Sequence, residues 1–305
     1  MVSKETRRAI RYTIVYWFIR LLIAISFIVP RPSWLSFCGS LGVLAYRFAK
    51  QTRQLMHRHI ALVFPEKTPA QVKKMARETF RMLGKNAGDV LRTSNVKTMA
   101  GLEKFMVLDG YENFEAAQAK GKGIVFVTGH IGAFDLQVTY MALRGLKPNV
   151  VGTPLKDERL NELLWGFRNA YGAIAIERGK ETFRMLKVLK SGGSVALLID
   201  QDTKVKSRFV NFFGMPAATP VGPTILALKT GAAVVPTGIY LGEDNLQHME
   251  IMPEIPLRIT GDEEADMVYN TQLYTTAIEE MIRRHPTQWV WMHERWKTKP
   301  GEEIV

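Results

Sequence analysis

A single cysteine, Cys38, stands in the 305-residue chain. That excludes any intramolecular disulfide and any cysteine-based zinc site, and it leaves the fold to packing. Cys38 itself lies in an apolar N-terminal segment, a poor setting for an activated thiolate. Histidine is scarce as well: His57, His59, His248, His285 and His293 show no ligand spacing with His130, which argues against a metal-dependent hydrolase. There is no Gly-x-Ser-x-Gly elbow, no second activated nucleophile, no internal repeat and no low-complexity tract. Nor do basic residues interleave with aromatics as in a nucleic-acid reader. Acidic residues are in deficit: 29 Asp and Glu face 41 Lys and Arg, a formal charge of +12. Such a balance points to an anionic partner: a membrane surface, an acidic protein, a phosphorylated substrate or nucleic acid.

Long apolar runs are equally rare, and the one present opens the chain. Tyr12 to Val29 holds eighteen residues with a single charge, Arg20, behind the basic flank Lys4, Arg7, Arg8 and Arg11. That length just suffices to cross or embed in a bilayer, and Arg20 in its middle argues against a comfortable span. The run is long for a signal peptide and no small-x-small cleavage site follows it. The expectation is an uncleaved anchor with its basic flank in the cytoplasm, tilted or partly interfacial, aided by Trp34 to Phe48. A buried first helix of a soluble domain is the alternative. From Gln51 to about Met106 the pattern is helical and basic, with Thr68 as a cap, Pro69 at the first helical position, and Val72, Met75, Ala76, Phe80 and Leu83 on one stripe.

Beyond Met106 strand-like runs (124–127, 149–151, 173–176, 195–199, 233–239) alternate with helical ones (134–143, 160–170, 182–189, 223–229), and 267–284 reads as a last helix. Alternation of this kind predicts an α/β fold with a mostly parallel central sheet flanked by helices. Chemistry in such sheets sits outside the carboxyl ends of strands. The apolar run Ile124 to Val127 ends in Thr128-Gly129-His130, with Gly132 and Asp135 following. A five-residue step brings two side chains together on neither a helix nor a strand, but a glycine-assisted strand-to-helix turn does so. His130 held by Asp135 would be a general base, since the carboxylate fixes the tautomer and stabilises the imidazolium. The bland reading of His-x4-Asp is a histidine satisfied by a local turn. Asp200-Gln201-Asp202 closes the run 195–199, where an acid pair binds metal, serves catalysis, pins a basic partner or caps the next helix. The aromatic, Gly/Pro-rich stretch 209–223 suits a loop shaping an apolar groove. Arg159 and Arg168, on or beside the helix after Thr153-Pro154-Leu155, are solvated surface unless something anionic lies opposite.

The series Phe64-Pro65-Glu66, Gly129-His130-x4-Asp135, Arg159 and Arg168, Asp200-Gln201-Asp202, Phe212-Phe213-Gly214-x-Pro216-Ala217-x-Thr219 and Trp289-x-Trp291-x-His293-x-Arg295-Trp296-Lys297 spans nearly the whole chain. In this order it resembles the bacterial lipid A biosynthesis lauroyl/myristoyl acyltransferase family, late acyltransferases related to the glycerolipid acyltransferases. Many members carry Glu where this chain has Asp135. The resemblance implies a glycerolipid acyltransferase-like fold and transfer of a fatty acyl chain from acyl carrier protein to a hydroxyl of a lipid A precursor, without cofactor or metal, at the cytoplasmic face of the inner membrane. Relatives that acylate other glycolipids or use coenzyme A thioesters keep acceptor and donor open, and a non-catalytic basic membrane-surface protein is the rival of another class. On this reading 1–50 is the anchor and interfacial segment and 51–305 the acyltransferase domain, divided into a basic helical lead-in (51–105) and an α/β catalytic core (106–305). His130 is the base and Asp135 its orienter. Gly129 and Gly132 bring backbone N–H groups to the reacting carbonyl, Arg159 binds phosphate or sugar, Arg168 and Asp200 are a supporting pair or acceptor contacts, and Gln201 and Asp202 are further substrate contacts.

Overall fold

The computed structural model describes residues 3–169, 172–177 and 182–304. Four helices lead: α1 (Lys4–Ile28), α2 (Arg31–Phe48), α3 (Lys50–Val63) and α4 (Pro69–Thr93). After the single turn α5 (Met99–Leu102) come β1 (Met106–Asp109), α6 (Tyr111–Gln118), β2 (Ile124–Thr128), α7 (Asp135–Leu143), β3 (Asn149–Gly152), α8 (Glu158–Asn169), β4 (Ile174–Glu177), α9 (Thr182–Lys190) and β5 (Ser194–Leu198). The chain closes with β6 (Ser207–Phe212), β7 (Met215–Pro220), α10 (Gly222–Thr230), β8 (Ala233–Leu241), β9 (Gln247–Ile251) and α11 (Glu263–Arg284).

Every residue of β2 is buried, as a strand covered on both faces requires. It lies in the middle of a seven-stranded sheet of order β1-β9-β8-β2-β5-β3-β4, in which every neighbouring pair is parallel except β8 with β9. Val125 and Val127 join the core under Leu226, Ile278 and Ile282 of α10 and α11, while Ile124 and Phe126 join the one under Phe114, Leu136 and Tyr140 of α6 and α7. The α/β reading therefore holds, with edges it did not contain. β1 and β9 are short, and the turn Gly242–Asn245 reverses the chain so that β9 runs against β8.

The stretch 209–223 is also more regular than expected. It holds most of an antiparallel hairpin, β6 with β7, turned on Phe213 and Gly214, both at positive φ as a two-residue primed turn demands. Buried Arg295 fastens it, donating from Nη1 to the Ala218 carbonyl at 2.6 Å and from Nη2 to Thr219 Oγ1, and its guanidinium lies over the Phe212 ring.

The helical lead-in packs on the sheet's side. Thr68 and Gln71 form a capping box at the head of α4, with Pro69 at its first position. Helices α2 and α4 cross on glycines: a Cβ at Gly42 would stand 2.0 Å from the Phe80 carbonyl oxygen, and one at Gly84 2.2 Å from that of Cys38. Arg31 binds both carboxylate oxygens of Asp89 (2.8 and 2.7 Å), and Asp89 accepts from Gln247 of β9 at 2.8 Å. This buried pair ties the helices to the edge of the sheet.

Candidate active site

Parallel pairing places the site. Thr128 of β2 stands opposite Leu198 of β5, so the residues two further on, His130 and Asp200, leave the sheet side by side at its carboxyl edge. His130 Nδ1 lies 2.8 Å from Asp200 Oδ1, and the His130 backbone N–H donates to Asp200 Oδ2 at 2.8 Å. The indole N–H of Trp289 donates to the same Oδ2 at 2.7 Å. Asp200 is 2% exposed. Burial pushes its carboxyl up, but the charge and hydrogen bonds of His130 and the Trp289 indole outweigh that and hold it down to about 2. An ionised carboxylate only accepts, so Nδ1 carries a proton and Nε2 is the ring nitrogen left to exchange one. The His130 side chain is 22% exposed and packs edge-on against Phe134, ring centroids 5.0 Å apart.

The place at Nδ1 expected of Asp135 thus belongs to Asp200, seventy residues on and itself expected as a substrate contact. Asp135 is the first residue of α7 and shares with Thr128, Phe134, Val138, Met141 and Leu198 the lining of an apolar cavity of about 40 Å³. A larger cavity, about 210 Å³, lies nearby, lined by Leu197, Leu198, Ile199, Met185, Ile225 and Leu226 among others.

Gly132 does something other than the expected N–H donation. Gly132 sits at φ +58, with the Ile239 carbonyl oxygen 2.2 Å from where its Cβ would be, and its N–H is taken by the Gln288 carbonyl at 2.9 Å. A Cβ at Gly129 would press on Asp200 Cγ at 3.3 Å and Ile278 Cγ2 at 3.1 Å. Both residues let the turn fold back closely enough for His130 to meet Asp200.

Asp202 points the other way, into the C-terminal segment. Its carboxylate accepts from the Thr298 N–H and hydroxyl (both 2.9 Å) and its carbonyl from His293 Nε2 and Lys297 Nζ (both 3.1 Å). It therefore pins the basic partner, one of the readings open to an acid pair at a strand end. Gln201 stands half-buried between the two acids. Arg159 binds Asp157 through Nε and Nη2 and Thr13 of α1 through Nη1 at 3.1 Å, partners within the chain where phosphate or sugar was expected. Arg168 lies on α8 about 14 Å along the helix from Arg159, towards the opposite edge of the sheet, and its side chain falls outside the described residues.

Trp289 is the site residue that sequence reasoning missed. It stood in the C-terminal motif with no role, because nothing in Trp-x-Trp says that an indole N–H will meet a carboxylate eighty-nine positions earlier. Burial explains the rest of that motif: Trp289, Trp291 and Arg295 are fully buried, and Arg295, which burial pushes down to about 10, remains a cation at neutral pH. Among the described residues no group of three or more His, Cys, Asp or Glu side chains is arranged to hold a metal ion.

Fold and site define an α/β enzyme with a carboxylate-held histidine and apolar space beside it. The chain belongs to the bacterial lipid A biosynthesis acyltransferase family, whose profile matches residues 2–298, and it is an acyltransferase. It is 28% identical over 296 residues to the lipid A biosynthesis lauroyltransferase of Escherichia coli, covering 93% of each chain. It is 27% identical to the lipid A biosynthesis palmitoleoyltransferase of the same organism, with 90% of this chain and 88% of the relative covered. A phosphatidylinositol mannoside acyltransferase of Mycobacterium tuberculosis is 27% identical over 194 residues, 62% of this chain and 60% of the relative.

Proposed function

We propose that this protein transfers a fatty acyl chain from the thioester of acyl carrier protein to a hydroxyl of a lipid A precursor or related glycolipid, at the cytoplasmic face of the inner membrane. The observation that carries the reading is His130 with Nδ1 on the buried Asp200 carboxylate and Nε2 free to take a proton. Relatives named for lauroyl, palmitoleoyl and myristoyl transfer to lipid A support the acceptor class, and the mannoside acyltransferases keep a related glycolipid within it.

Nε2 takes the proton of the acceptor hydroxyl as its oxygen attacks the thioester carbonyl carbon. The tetrahedral oxyanion collapses, the C–S bond breaks, and the imidazolium returns its proton to the leaving thiolate. Asp200 keeps the ring in the right tautomer and stabilises the imidazolium, and Trp289 keeps Asp200 in place. Asp135 follows Phe134, whose ring packs on His130, at the head of α7. The N–H groups of His130, Ile131 and Gly132 already have partners, so donors for the oxyanion come from the Gly129 N–H, the first turn of α7 or a side chain. The acyl chain lies in the apolar space flanking β2 and β5. The +12 charge suits both an acidic carrier protein and an anionic membrane.

The test is transfer by the purified full chain from acyl carrier protein thioester to a lipid A precursor, read by mass spectrometry. His130→Ala should lower turnover by about 10²–10⁴, the usual worth of a general base, in protein that stays folded. Turnover near the unsubstituted rate would place the base elsewhere.

A further inference from the structure

Helix α1 is long and apolar enough to cross a membrane, yet contacts at Thr13, Tyr16, Ser26 and Val29 hold it to the rest of the protein. Tyr12, Tyr16, Ile19, Ile23 and Ser26, at helical steps of four, three, four and three, form one stripe that is half-buried or buried against the protein. Ile10, Ile14, Trp17, Phe18, Leu21 and Ile28 form the opposite stripe and are 49–83% exposed. Two arginines pin the ends. Arg159 reaches Thr13 and lies over the Tyr16 ring, and Arg92 of α4 donates to the carbonyls of Ser26 and, at 2.8 Å, Val29.

The pins also say where α1 runs. Arg159 is the second residue of α8, which starts from the carboxyl end of β3. Leu22 shares an apolar cluster with Leu241, the last residue of β8. From β8 across β2 and β5 to β3 is three strand spacings, about 14 Å. From Thr13 to Leu22 is nine residues of helix, about 14 Å as well. A helix joining these two points passes the carboxyl edge of the sheet near β2 and β5, the two strands that deliver His130 and Asp200, with Tyr16 and Ile19 midway on its inner stripe.

Resting on the acyl-transfer reading, we propose that α1 lies in the plane of the bilayer as the membrane-side wall of the active-site cleft, so that the lipid acceptor passes between α1 and the His130–Asp200 pair without leaving the membrane. The outer stripe takes the acyl region of the leaflet, and the flank Arg7, Arg8 and Arg11 with exposed Arg20 meets anionic headgroups. An in-plane helix also removes the difficulty of Arg20, which is a charge in mid-membrane for a spanning helix and an interfacial one here.

The test uses the full chain carrying Cys38→Ala with single cysteines in sealed membrane vesicles of known orientation. An impermeant maleimide should reach Ser3→Cys from the same face as Lys190→Cys on the catalytic domain. A lipid-borne nitroxide should quench fluorophores on Trp17→Cys and Phe18→Cys several-fold more than those on Tyr16→Cys and Ile19→Cys. Labelling of Ser3→Cys only from the opposite face, or equal quenching around the helix, would overturn the in-plane placement whether or not the enzyme is active. For the wall itself, Tyr16→Ala and Ile19→Ala should raise KM for the lipid acceptor in detergent about tenfold with kcat little changed. An unchanged KM for the inner-stripe variants would reduce α1 to a tether, and inactivity of the parent chain would count against the acyl-transfer reading alone.

Discussion

Asp200 carries two consequences, one for stability and one for catalysis. Its folded pKa, about 2, lies below the unfolded carboxylate value, so the stability it contributes is complete above about pH 4 and is lost as pH falls towards 2. The shift corresponds to about 2 kcal/mol, and Asp200→Asn should remove that share of the acid-unfolding limb while leaving Asp202 and its contacts intact. Denaturant titration of both proteins between pH 2 and 6 checks this; identical pH slopes would show that Asp200 is not depressed. Catalytically, the asparagine supplies either an acceptor or a donor to Nδ1 but no charge, so the imidazolium loses its partner. The place of His130 at the carboxyl end of a buried strand was legible. Its partner was not, because five residues of sequence separate Asp135 from it and seventy separate Asp200, and only the adjacency of β2 and β5 makes the distant carboxylate the near one.

The helices and the central strands were readable because their signals are local: apolar runs for β2 and β5, Thr68-Pro69 for the head of α4. The hairpin of β6 and β7 was not, since Met215-Pro216-Ala217-Ala218-Thr219-Pro220 has one strand-former, Thr219, beside two prolines and is held as a strand by Arg295 and by packing of Phe212 on Trp289. The crossing of α2 and α4 is equally tertiary, and it yields a paired prediction. Gly42→Ala should destabilise the protein by about 1–3 kcal/mol or more, because the added methyl meets the Phe80 carbonyl and the two helices must part. Gly166→Ala, exposed in α8 with open space around its Cα, should stabilise it by up to about 1 kcal/mol through helix propensity. Thermal unfolding of the two variants reads both signs, and a neutral Gly42→Ala would mean the helices are not in contact there.

For the molecule as a whole, the net charge of +12 and the exposed apolar stripe of α1 fit the proposed place of work, an anionic membrane surface. If the donor is an acidic carrier protein, kcat/KM for the donor should fall with added salt at subsaturating concentration, as screening weakens encounter. A salt-independent kcat/KM, or equal use of a coenzyme A thioester, would count against that donor. The centre of the account is that His130 takes the acceptor proton while Asp200, not Asp135, holds its ring. The direct measurement is single-turnover acyl transfer by His130→Ala, Asp200→Asn, Asp135→Asn and the His130→Ala/Asp200→Asn double variant, each shown to be folded. The account predicts a loss of about 10²–10⁴ for His130→Ala, a comparable loss for Asp200→Asn, a smaller one for Asp135→Asn, and a double variant little worse than His130→Ala. Near-full activity of Asp200→Asn beside an inactive Asp135→Asn would contradict it.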